Sequence, residues 1–180
     1  MASNSRMTWT HQQKLEWFQK EFRPHFDEWV IDPAQRMVNA PEAMPAFIWL
    51  ACAIDWLAGF WWGQSTDGHV KQVYVGFISN FFPQSKYIAE DLYDSLRNGL
   101  VHMYTIKGKK YALKHQEPTL HLKVTTDAHV VLNLENFFDD VVKAKNGFFD
   151  AVELDPLLLD KVIIRYEREG FLDIISVNIP

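Results

Sequence analysis

Arg97, Asn98 and His102 stand within six residues of one another. A guanidinium, a carboxamide and an imidazole together can bind an anion and move a proton. The stretch around them reads as a helix, because Ile88, Leu92, Leu96 and Leu100 recur every four residues and place apolar side chains on one face. Gly99 sits inside this pattern, where another residue would serve a helix better by about 1 kcal/mol. Two readings of Asn98-Gly99 stand side by side. Either the helix stops there, with Gly99 as a left-handed C-terminal residue, or it continues to about His102 and Gly99 lets a second helix come close. On an ideal α-helix Arg97 and His102 lie about 140° apart. They converge on one atom if the helix ends or bends near Gly99, or if two copies of the chain share a site.

The elements that position these residues follow from the apolar pattern. With 180 residues and 48% hydrophobic content, including seven Trp and thirteen Phe, the chain reads as one domain with a substantial core. Residues 10–30 form an amphipathic helix with Leu15, Phe18, Phe22 and Phe26 on one face, and Pro24 is expected to kink or split it. Residues 31–45 read as a loop around Pro33 and Pro41. Residues 46–62 are almost wholly apolar, and Asp55 at their centre, with a length marginal for a bilayer, favours a buried core helix over a membrane span. If Asp55 is buried it must be satisfied, and Arg97, His102 or a Trp indole is its expected partner. Gly63–Gly68 forms a turn, 70–82 a third helix closed by Pro83, and 85 to 99 or 102 a fourth.

The texture changes after His102. Residues 103–106 and 111–115 flank Lys107-Gly108-Lys109-Lys110 in the manner of an antiparallel hairpin. Residues 120–124 and 129–132 look like two further short strands. Helix returns at Leu134 with Asn133 as its N-cap, and Asn146-Gly147 ends or interrupts it. Asp155-Pro156 opens a last helix that Gly170 closes. The tail 171–180 is apolar and is expected to pack back as an extended segment.

The net charge of −5 argues against bulk nucleic-acid affinity, but the charges are unevenly placed. Residues 97–123 carry six Lys or Arg against one acid, Glu117. A basic patch on an acidic body suits a phosphate-facing surface, and a solvated hairpin with protective lysines explains the same charges. The single cysteine, Cys52, forms no internal disulfide and suits a reducing cytoplasm, and the polar first residues carry no secretory signal. His102, His115, His121 and His129 match no tight ligand spacing and have no cysteine beside them, so no metal or cofactor is expected.

Arg97-Asn98-Gly99-Leu100-Val101-His102 resembles the signature of the HEPN superfamily: an arginine, a polar residue after it, and a histidine with four to six residues between it and the arginine. Residues 54–59 (IDWLAG) and 132–137 (LNLENF) look like segments of uncharacterised bacterial HEPN-like proteins, so the resemblance spans roughly 47–142. It implies a mainly α fold, a single HEPN-like bundle of four to six helices over residues 1–180, with the β-rich segment 103–132 as an insertion after the fourth helix. It also implies a homodimer whose arginines and histidines line one cleft, and metal-independent endoribonuclease activity on RNA. A toxin with an antitoxin protein as partner, or a phage-defence component, fits that activity. Carried over, Arg97 binds the scissile phosphate, His102 acts as general acid or base, and Asn98 holds the pair in place, with Asp55 and Asp94 in support. Lys107, Lys109 and Lys110 are expected to contact RNA phosphates. The rival reading is a catalytically inactive helical module that binds a nucleotide or a protein, in which Arg97 simply pairs with Asp94 three positions back.

Overall fold

The computed structural model describes residues 5–83, 87–103, 106 and 110–170. Six helices carry the fold. We label them α1 (11–38), α2 (Ala43–Trp62), α3 (Val70–Phe81), α4 (89–103), α5 (Leu134–Leu154) and α6 (Pro156–Glu169). Two short strands, β1 (Tyr111–Lys114) and β2 (Val130–Asn133), lie between α4 and α5.

α1 runs through both of its prolines, so neither the break expected at Pro24 nor the loop over residues 31–38 occurs. Two π-helical stretches, Phe18–Phe22 and Asp27–Ile31, precede Pro24 and Pro33. Each closes an i→i+5 hydrogen bond, from the Arg23 N–H to the Phe18 carbonyl and from the Asp32 N–H to the Asp27 carbonyl. The wider turn accommodates the donor that proline lacks and eases its ring past the preceding carbonyl. The apolar pattern asks for the same thing. Phe18, Phe22, Phe26, Val30, Ala34 and Val38 are all at most 3% exposed, in a strict repeat of four. On an α-helix each four-residue step drifts by about 40°, so the stripe would wind about 200° around the axis. Turns wider than 3.6 residues hold it against the core.

α2 is central and packs against all five other helices. By length and composition it could cross a membrane, yet most of it is buried inside the bundle. Ala46, Leu50, Ile54 and Leu57 face the interior, and the helix ends at Gly63 in the left-handed region (φ 81°). α5 continues through Asn146-Gly147 to Leu154, because Phe148, Phe149 and Val152 extend its buried face. Asn133 does sit at its N-cap position, but its side chain caps no helix N–H there. Instead it accepts from the Glu117 N–H at 2.9 Å and donates to Glu135 and Asn136. α6 begins as the sequence suggests, with the Asp155 carboxylate accepting from the Leu157 N–H. At the N-terminus the Arg6 guanidinium lies among the rings of Trp9, Trp17 and Tyr166, fastening the chain start to α6.

The insertion differs from the expected antiparallel hairpin. β1 pairs with β2 in parallel, Tyr111 opposite Val130 and Lys114 opposite Asn133. A parallel pair needs a crossover of a dozen or more residues, and residues 115–129 supply it. The expected strand over 120–124 is reduced to a single antiparallel bridge from Val124 to Val130. Two histidines fasten the crossover to the bundle. The His115 Nε2 donates to the Val38 carbonyl at 3.0 Å. His121 accepts the Asn133 N–H at Nδ1 and meets the Tyr87 hydroxyl, 3.1 Å from Nε2. Tyr87 in turn donates to the buried Asp140 at 2.9 Å, and burial with that carboxylate holds its phenol well above the usual tyrosine range. Residues 104–105, 107–109 and 171–180, with the first hairpin strand, most of its turn and the C-terminal tail, lie outside the described residues.

Gly63 supports a direct stability test. A Cβ there would stand 2.5 Å from the Lys161 Cβ, and its φ already excludes most L-residues. Gly63→Ala should lower the unfolding free energy by about 2 kcal/mol or more, read as a lower urea midpoint with an unchanged slope.

Candidate functional site

α4 is where the structure resolves the geometry left open by the sequence. The helix does not stop at Asn98-Gly99; it continues to Met103, and Tyr93–Leu100 is π-helical, with the Val101 N–H bonded to the Leu96 carbonyl. A turn that closes at i+5 is wider than an α-helical one and swings residue 102 back toward residue 97. The 140° divergence of an α-helix is thereby reduced, and the two side chains meet within a single chain. The Arg97 Nη1 donates to the His102 Nε2. A guanidinium has no acceptor, so a hydrogen bond here requires the tautomer whose Nε2 is bare.

The apolar stripe has the same origin as in α1. Leu92, Leu96 and Leu100 are fully buried at a strict spacing of four. Ile88, by contrast, precedes the helix and is 62% exposed. Gly99 is buried within the monomer as well. The stretch packs mainly on α2.

Asp55 comes from α2 and meets Arg97, as anticipated. Its Oδ2 accepts from both Nε and Nη2 of Arg97, each at 3.3 Å. The pair is partly shielded, with side chains 36% and 21% exposed, and His102 stands at the surface. Three of the five guanidinium donors are thus engaged among the described residues, leaving one on each Nη for an incoming anion. Asp55 fixes the fork's plane and His102 marks its outer edge.

The remaining expected residues fall elsewhere. Asp94 does not pair with Arg97. It holds Lys71 of α3 at 3.1 Å, and that ammonium also lies over the Tyr93 ring. Asn98 is half-buried on the same turn as Arg97. Lys110 pairs with Asp91 near the start of α4, so its charge is partly neutralised, while Lys107 and Lys109 lie outside the described residues. Among the described residues no three His, Cys, Asp or Glu side chains gather as a metal site would require.

Two residues near the site escaped sequence reasoning. Tyr74 of α3 is fully buried, and its hydroxyl has no hydrogen-bond partner among the described residues. Burial first, then the Asp55 carboxylate, pushes its phenol well above the usual range. Cys52, exposed at the surface, lies one turn before Asp55 on α2, and partial desolvation followed by the Asp55 carboxylate raises its pKa, which keeps it protonated near neutrality. A tyrosine inside an apolar helix carries no sequence signal that distinguishes it from core.

A buried hydroxyl without a partner bears its full desolvation cost. Tyr74→Phe should therefore leave stability unchanged or raise it by about 1 kcal/mol, measured by urea unfolding. A loss above that size would show that the hydroxyl has a partner.

Comparison of the chain with protein-family models, with curated proteins and with solved structures gives no match.

Proposed function

We propose that the chain is a metal-independent endoribonuclease with Arg97 and His102 as its catalytic residues. The observation that carries this reading is the contact of the Arg97 guanidinium with the His102 Nε2 at a partly open surface. The resemblance of residues 97–102 to the HEPN signature supports it independently of the geometry.

In this reading the scissile phosphate binds the two unengaged Nη donors of Arg97, while Asp55 keeps the fork in plane. Bidentate contact to phosphate oxygens suits arginine and stabilises charge that grows on the phosphoryl group. Phosphate binding draws Nη1 away from His102 and frees the Nε2 lone pair. That nitrogen takes the proton of the ribose 2′-hydroxyl, and the 2′-oxygen attacks phosphorus. The bond to the 5′-oxygen breaks, the departing oxygen takes a proton from a solvent water to which the His102 imidazolium returns one, and a 2′,3′-cyclic phosphate remains. Asn98 borders the same turn and is assigned the orientation of the substrate. Lys107, Lys109 and Lys110 are assigned to phosphates further along the strand, as point charges rather than base readers.

The wider expectations belong to the same proposal: a cytoplasmic homodimer of one HEPN-like domain per chain, acting as a toxin or defence component with a neutralising protein partner. Since the π-helical turn brings Arg97 and His102 together within one chain, dimerisation serves here to build the RNA-binding cleft and is not needed to assemble the pair.

The test is incubation of pure protein with total RNA, with and without EDTA. Cleavage should persist in EDTA, yield 2′,3′-cyclic phosphate ends, and fall by about 10²–10⁴-fold in His102→Ala, with a comparable loss in Arg97→Ala. Mixing the two inactive variants should restore nothing, because each chain supplies both groups. Failure of the folded wild-type protein to cut any RNA would leave the inactive binding module as the function.

A further inference from the structure

On the other side of Asp55 the surface opens into a cleft of about 500 Å³ between α1, α2, the 63–68 turn and the end of α6. Trp49, Cys52, Ala53 and Trp56 line it from α2. Positions 49, 52, 53 and 56 form one helical stripe, so two indoles flank a floor of two small side chains. Their backbone positions are about 10 Å apart along the axis, which leaves room for a flat ring between them. Each indole is steadied from behind. Trp49 donates its N–H to the Val30 carbonyl at 2.8 Å, and Trp56 packs against Phe26 and Phe60. Both nevertheless remain part-exposed, and they line a cavity of a size suited to small ligands.

Polar groups sit where the edge of such a ring would fall. Thr66 lines the lip, and Arg165 and Glu169 close the end. Arg165 is a fixed group: its side chain is 11% exposed, its Nη1 donates to the Gln64 carbonyl at 2.9 Å, and it pairs with Glu169 at 2.5 Å. It reaches this position by crossing α2 at Gly59, where a Cβ would come within 3.2 Å of its Nη2. Asp55 lines the cleft on one side and holds Arg97 on the other. A ligand with a planar aromatic part and an attached phosphate therefore has a place for each, the ring between the indoles and the phosphate on Arg97.

We infer that this cleft is a nucleobase subsite, in which the base next to the phosphate on Arg97 stacks against Trp49 or Trp56 and offers its edge to Thr66 and Arg165. Stacking on an indole strengthens binding to any base, and the fixed polar edge makes one base better than the others. The inference rests on the phosphate position proposed above, and it makes the cleft the source of whatever base preference the protein has.

The test is calorimetric titration of the full chain with the four nucleoside 5′-monophosphates and with ribose 5-phosphate, which lacks a base. At least one nucleotide should bind tenfold or more tightly than ribose 5-phosphate. Thr66→Trp, which fills the lip from an external turn, and Trp56→Ala should each abolish that tenfold difference while leaving ribose 5-phosphate binding unchanged. Thr66→Trp decides the matter if Trp56→Ala does not fold. Arg97→Ala should weaken all five ligands together. Equal binding of nucleotides and ribose 5-phosphate, or a base preference that survives Thr66→Trp, overturns the inference. The readout is independent of cleavage: RNA cutting without base preference removes the subsite alone, and base preference without cutting removes the ribonuclease alone.

Discussion

A buried stripe that repeats every four residues drifts by about 40° per step on an α-helix, and the two helices of this protein that hold π-helical turns each carry one. In α1 it runs from Phe18 to Val38, and in α4 from Leu92 to Leu100. Burial of large apolar side chains contributes about 1.5–3 kcal/mol each, whereas π-helical turns are rare and have poorer intrinsic geometry. α1 buries six residues at this spacing and α4 three, both with widened turns, whereas α2 buries Ala46, Leu50, Ile54 and Ala58 at the same spacing and stays α-helical. In α1 the result is structural, since the same wide turns let the chain pass through Pro24 and Pro33 without breaking. In α4 it has a chemical consequence. The turn that keeps Leu96 and Leu100 inside also sets His102 against Arg97 on the outside.

α2 supplies the rest of the site from one face to the next. Its interior positions hold the bundle together, Asp55 at its edge orients the Arg97 fork, and the stripe of Trp49, Cys52, Ala53 and Trp56 lines the neighbouring cleft. An acid in so apolar a helix needs a partner at its height. Arg97 provides one, and the pair fixes the register of α4 on α2. The crossover between β1 and β2 is held apart from this site, by His115 on the end of α1 and His121 on Tyr87.

Much of this was legible in the sequence because it depends on local signals. Gly63, Pro83, Asp155-Pro156 and Gly170 marked helix ends that the structure bears out. Asp55 announced its pairing through its apolar surroundings. What the sequence concealed depends on non-local choices. β1 looks like half of a hairpin, and only the distant Val130–Asn133 makes it parallel. Asn146-Gly147 looks like a helix end, and only the core waiting for Phe148 and Phe149 carries α5 through. The π-helical turns were in principle readable, since a spacing of four differs from 3.6, but over a few residues the two patterns are nearly the same. Reading α4 at 100° per residue therefore separated Arg97 from His102 unless the helix ended or bent near Gly99 or a second copy shared the site. Tyr74 had no signal at all, because the apolar run around it describes its ring and hides its hydroxyl.

The central claim is that one chain, by widening one helix, places the Arg97 guanidinium on the His102 Nε2. The most direct measurement is long-range nitrogen–proton NMR of the imidazole, with His102 assigned by His102→Gln. The account predicts a neutral ring with its proton on Nδ1 and a bare, hydrogen-bonded Nε2, in the monomer as much as in any dimer, and loss of that tautomer in Arg97→Met. A His102 ring protonated at Nε2, with a spectrum indifferent to Arg97→Met, would contradict it.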